Sequence, residues 1–126
     1  MYGRQHEELH VRAMRAAVRY LDWFPNRILC GDHYGHVVFE EFGQLVLAQV
    51  IISDEIAIGG GKRAVDGFIG MEDGFDDAAF TRAACEWMVE HERECRKPRA
   101  DSIAMVRVSE NQASVRHIRD VKGLVG

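Results

Sequence analysis

Gly35-His36-Val37-Val38 and Leu45-Val46-Leu47-Ala48-Gln49-Val50-Ile51 decide how this chain folds. Both stretches are short and apolar, and Phe42-Gly43-Gln44 between them supplies a tight turn, so the pair reads as a β-hairpin. Side chains two apart on a strand share a face, and the hairpin can therefore bring residues 36 and 38 together with 49 and 51. Apolar residues on both faces call for cover on both sides, as in a sheet buried between helices.

Working outward, Met14, Ala17, Val18 and Leu21 recur at i, i+3, i+4 and i+7 and predict an amphipathic first helix that stops around Phe24-Pro25. Arg27 to Cys30, Val37 to Phe42 and Leu45 to Ser53 read as strands. Phe80, Ala84, Trp87 and His91 repeat at helical spacing, predicting a second helix from Asp76 to Cys95 with Asp76-Asp77 at its positive end. Ser102 to Val108 and Ala113 to Ile118 form two more strands turning at Ser109-Glu110-Asn111. A glycine-rich connection from Asp54 to Phe75 is long for a small domain, and reads as a surface insertion or as a lid or interface arm. These elements predict an α/β chain of one domain over residues 1–126, with a mixed central sheet of about five strands in a three-layer α/β/α arrangement.

Order and spacing together resemble the YraN-like family of small bacterial proteins, which have a restriction-endonuclease-like fold. The matching residues are Ala17-Val18-Arg19-Tyr20-Leu21, Arg27-Ile28-Leu29, Ile58-Gly59 with Ala64-Val65, Ala83-Ala84, Trp87-Met88 and Arg99-Ala100-Asp101, collinear to His117-Ile118. That family carries a form of the PD-(D/E)xK metal-nuclease signature. The resemblance puts His36 where the family has Glu, Val38 where it has Asp, Gln49 at the second Glu and Ile51 at the Lys. Ala13-Met14 likewise stands at a Gly-Glu pair, and Asp76-Asp77 where the second helix usually begins with Lys and Arg. Mg²⁺ is a hard cation held by carboxylates, water and phosphate, and an imidazole, an amide and two aliphatic chains do not supply that field. The resemblance thus implies a catalytically degenerate nuclease-like protein with no metal, no cofactor and no catalytic residues at these positions, and an apolar cleft in which Val38 and Ile51 are at least partly buried.

Charge bears on partners. The chain has 16 basic and 20 acidic residues among 126, with 47% hydrophobic, so a general basic excess for nucleic acid is absent. Local candidates remain: Arg12, Arg15 and Arg19, which share a helix face at i, i+3 and i+7, Lys62-Arg63 in the glycine loop, Arg93, Arg96, Lys97 and Arg99 after the second helix, and Arg116, Arg119 and Lys122 near the end. The plain alternative is a solvated helix face. The longest apolar runs are strand-sized, which excludes a spanning helix. Met1 to Glu8 lacks an apolar signal-peptide core, and three cysteines without a framework fit reduced thiols, so the expected compartment is the cytoplasm.

Three functional readings follow. The first is a binding module for DNA or RNA; the second is a protein-interaction or homo-oligomeric scaffold. The third is a metal-dependent nuclease whose carboxylates have migrated to Glu40 and Asp54, with Lys62 replacing the missing lysine. Weaker patterns carry less. Ile58 to Arg63 lacks the spacing of a phosphate loop, and zinc binding would need Cys30, His33 and His36 to meet His91 and Cys95.

Overall fold

The computed structural model describes residues 2–54, 74–91, 97–109 and 112–122. Helix α1 spans Tyr2–Asp22, followed by strands β1 (Asn26–His33), β2 (His36–Glu41) and β3 (Gln44–Asp54). Helix α2 (Asp77–Glu90) precedes β4 (Arg99–Ser109) and β5 (Gln112–Ile118). The described residues are α/β: one five-stranded mixed sheet in the order β1-β2-β3-β4-β5, with two helices. Only β3 and β4 run parallel, and α2 lies in the connection between them.

Two two-residue turns set the register of the first three strands. Tyr34–Gly35 joins β1 to β2 and Phe42–Gly43 joins β2 to β3, and all four residues have positive φ, the pattern of type I′ hairpins. This turn type matches the right-handed twist of the strands, so His36 falls opposite Gln49 and Glu41 opposite Gln44. Strand β1 runs past the expected end at Cys30 as far as His33, with bulges on either side of Cys30. Gly31 reads as a breaker in sequence, but here it lets the strand pass close to α1. A Cβ there would sit 3.4 Å from Val18 Cγ2.

Alternation divides the core. Val37, Phe39, Val46, Ala48, Ile103 and Met105 pack with Met14, Ala17 and Leu21 of α1. Val38, Leu47 and Ala100 pack with Phe80, Ala83, Ala84 and Trp87 of α2. Neighbouring residues such as Val37 and Val38 thus enter different cores, and the helices cover opposite faces of the sheet. Each fully buried Val, Leu, Ile, Phe or Met contributes about 1.5–3 kcal/mol, so both faces are strongly specified.

Boundaries differ from expectation where tertiary pairing decides them. Strand β4 begins at Arg99, because Arg99 pairs with Val46 in the parallel ladder. Asp76 caps α2, its Oδ1 accepting from Ala79 N–H at 3.0 Å, and the helix stops at Glu90, short of Cys95, with His91 as C-cap. Residue 42 belongs to the turn and not to β2. Residues 55–73, including Lys62, Arg63 and nearly all of the glycine-rich connection, lie outside the described residues, as do Arg93, Cys95, Arg96, Glu110 and Asn111. Among the described residues no helix is long and apolar enough to cross a membrane.

Candidate functional site

The four hairpin positions share the α2 face of the sheet, and the polar side chains among them are bonded to each other and to the backbone of Tyr34 and Asp76. His36 donates Nδ1–H to the Tyr34 carbonyl at 3.0 Å, and its Nε2 accepts from Gln49 Nε2 at 3.1 Å. Gln49 Oε1 accepts the Asp76 N–H at 2.7 Å, while Nε2 also donates to the Asp76 carbonyl at 3.1 Å. The pair therefore latches the sheet to the N-terminus of α2. Val38 is 0% exposed, and half-buried Ile51 lies against Gly74, where an added Cβ would be 3.7 Å from Ile51 Cδ1. A cation would have to displace bonds at both polar positions and would meet methyl groups at the other two.

Burial holds the His36 imidazole below the ordinary histidine range of 6.5, although the Tyr34 and His33 carbonyls and Asp32 favour the proton. With the folded value depressed, the unfolded chain takes up the proton first as pH falls. His36 thus contributes stability that is whole above about pH 6.5 and is lost as pH drops from there through the folded value. Urea midpoints across that window should decline with acidification, and His36→Gln should flatten the decline. Parallel pH profiles for the two proteins would contradict the assignment.

Glu40 and Asp54 are not brought together. Glu40 sits opposite Leu45 at the turn end of the hairpin, and Asp54 is the last residue of β3. Nine residues at about 3.3 Å each separate those levels by about 30 Å, far beyond a shared metal. Glu40 instead pairs across the strands with Arg27 at 3.3 Å.

His33 and His91 pack on the same ring, the indole of Trp87. His33 Nε2 donates to the Ala83 carbonyl at 2.9 Å and its ring packs edge-on to Trp87 at 5.2 Å; His91 stacks on the same indole at 3.7 Å. Among the described residues no three His, Cys, Asp or Glu side chains are placed to hold a metal ion.

The other face of the sheet carries a cluster of arginines. Arg12, Arg15 and Arg19 are exposed along α1 and border a groove of about 380 Å³ between that helix and the β4–β5 end of the sheet. Arg107 joins them from β4, a residue that sequence reasoning missed, and Ile52, Met105 and Val115 supply apolar floor. Four guanidinium groups around one concave surface can meet phosphates through paired N–H donors. The groove and the four hairpin positions lie on opposite faces.

Sequence reasoning also missed a buried polar network on the α1 face. Fully buried Asp101 accepts from His117 Nε2 at 2.7 Å, from Arg99 Nε at 2.8 Å and Nη2 at 2.9 Å, and from the Asp120 N–H at 2.9 Å. Arg99 also reaches Glu41 at 2.8 Å, and Tyr20 donates its hydroxyl to His117 Nδ1 at 3.1 Å. The His117 side chain is 2% exposed, so the network is closed to substrate and ties α1, β2, β4 and β5 together. The signal available in sequence was register: residue 101 shares the core-facing parity of Ile103 and Met105, and a charge at such a position needs partners.

No family model, curated protein or solved structure matches the chain.

Proposed function

We propose that this protein is a catalytically degenerate member of the three-layer restriction-endonuclease-like fold, similar to the YraN-like family, that binds nucleic acid without cutting it. The observation that carries binding is the groove edged by Arg12, Arg15, Arg19 and Arg107. Phosphate contacts by such residues give affinity independent of sequence, about 10⁻⁴–10⁻⁶ M at physiological salt, falling as salt rises. The fold reading is supported by helices on both faces of a mixed sheet and by an apolar hairpin at the level where the family holds its metal ligands. Lack of cleavage follows from the closed His36–Gln49–Asp76 bonds and the methyl groups of Val38 and Ile51.

Fluorescence anisotropy with labelled DNA and RNA tests the reading, followed by gel analysis of the same samples after incubation with Mg²⁺ or Mn²⁺. The wild type should bind and leave the nucleic acid intact, whereas Arg15→Glu with Arg19→Glu should weaken binding at least tenfold, since each arginine–phosphate contact becomes a repulsion. Unchanged affinity in the double variant, or metal-dependent product bands from the wild type, would overturn it. A scaffold without nucleic-acid affinity would show neither binding nor products.

A further inference from the structure

The arginine stripe of α1 continues beyond the helix. Trp23 stands four residues after Arg19, and the bonds from Trp23 N–H to the Tyr20 carbonyl and from Phe24 N–H to the Leu21 carbonyl keep the chain turning past Asp22. Arg12, Arg15 and Arg19 are spaced i, i+3 and i+7 on α1, a line about 10 Å long at 1.5 Å per residue, and Trp23 follows in the turn directly after the helix. Trp23 is 87% exposed.

A second ring lies at the same end of the sheet. Asn26 pairs with Glu41, so the turn residue Phe42 emerges beside the segment that leads from Trp23 and Phe24 into β1. Phe42 is 86% exposed and has φ of 51°, a left-handed position that Asn or Gly fills with less strain. Neither local conformation nor core packing calls for an aromatic ring at 23 or 42. Together with the arginines they form a cationic track that ends in two open π faces.

We propose that this track binds single-stranded nucleic acid, its phosphates following Arg12, Arg15 and Arg19 and its bases stacking on Trp23 and Phe42. The proposal rests on the nucleic-acid reading above and narrows it to a substrate class. A duplex keeps its base faces inside its own stack, so only a single strand can offer them to exposed rings. A lipid surface is the competing partner for exposed aromatics, but the arginines border a concave groove, which a flat bilayer surface spans without filling and a flexible strand can enter.

The test compares a fluorescein-labelled oligothymidine of about 20 nucleotides with a duplex of equal length, using the full chain and its Trp23→Ala and Phe42→Asn variants. Asn suits the positive φ of the turn, and both sites are exposed, so thermal melting should confirm folding of each variant. Each lost stack should weaken oligothymidine binding about five- to a hundredfold while leaving duplex binding within twofold. Oligothymidine should also quench wild-type tryptophan emission, because Trp23 is exposed while Trp87, the second of the two tryptophans, is buried. If both nucleic acids bind equally and neither ring substitution matters, the proposal fails while the nucleic-acid reading stands. If neither binds, both fail. Loss of binding to phosphatidylcholine–phosphatidylglycerol vesicles in the Trp23→Ala variant, with no effect on oligothymidine, would assign the rings to membrane contact and overturn the proposal.

Discussion

Val38→Asp, which places the aspartate of the family that the sequence resembles, should lower stability by about 3–5 kcal/mol at neutral pH instead of creating a metal site. Val38 is 0% exposed and packs with Leu47, Phe80, Ala83, Ala84, Trp87 and Ala100, none of which offers a hydrogen bond from its side chain except the indole of Trp87. A carboxylate placed there is a buried charge with no cation beside it and at most the Trp87 indole N–H to bond, a change that ranks among the most costly single substitutions. Against a total stability of about 5–15 kcal/mol the loss is large. Mg²⁺ should restore none of it, since positions 36, 49 and 51 carry no second carboxylate. Urea unfolding with and without Mg²⁺ measures both effects, and a metal-dependent recovery of the midpoint would show that the position still belongs to a working cation site.

Asp101→Ala should cost a similar amount, about 3–5 kcal/mol, for the opposite reason: it removes a charge whose partners stay buried. Arg99 would keep only Glu41, and the Asp120 N–H and His117 Nε2 would lose their acceptor. The wild-type carboxyl also has a pH signature. Burial acts to raise its pKa, but the bonds from His117, Arg99 and the Asp120 N–H outweigh burial and hold it below its ordinary 3.8. Because the folded value is depressed, this contribution is present above about pH 3.8 and is lost as pH falls through the folded value. Acid titration of wild type and variant by circular dichroism should show the stability gap narrowing in that range. A constant gap would mean that Asp101 acts by shape alone.

Much of this architecture was legible where a short-range period carries it. The alternation through Val37–Val38 and Val46–Leu47–Ala48 announced a sheet covered on both faces, and Met14, Ala17 and Leu21 announced the helix that covers one of them. That residues 36, 38, 49 and 51 share a face also followed from strand parity, whereas the exact pairing of 36 with 49 depends on the turn being Phe42–Gly43, one residue earlier than the sequence suggested. What Gln49 bonds to did not, because Asp76 lies 27 residues away across the glycine-rich connection and no local rule places a helix N-terminus. Gly31 and Asp32 hid the end of β1, since turn-forming residues inside a bulged strand look like a strand's end.

The charged groups divide in the same way. Arg12, Arg15 and Arg19 were visible as one helix face, but Arg107 joins them only because β4 passes beside α1. Tyr20, Glu41, Arg99, Asp101 and His117 come from four elements, and their mutual distances depend on the whole sheet order. His117 lies inside an apolar strand in the sequence, and its partners Tyr20 and Asp101 come from other elements. The sequence resemblance points to the α2 face of the hairpin, whereas the arginine groove lies across the sheet from it. Because the groove and the four hairpin positions lie on opposite faces, the proposed binding and the proposed lack of cleavage are separable by mutation.

The most direct test of nucleic-acid binding at that groove is the salt dependence of affinity, measured by anisotropy on wild type and on Arg15→Ala with Arg19→Ala. Each phosphate contact contributes about 0.7–0.9 to the slope of log affinity against log salt. The wild type should bind with a steep slope and the double variant with one shallower by about 1.4–1.8. Equal slopes for the two proteins, or no binding by the wild type at about 50 mM salt, would contradict it.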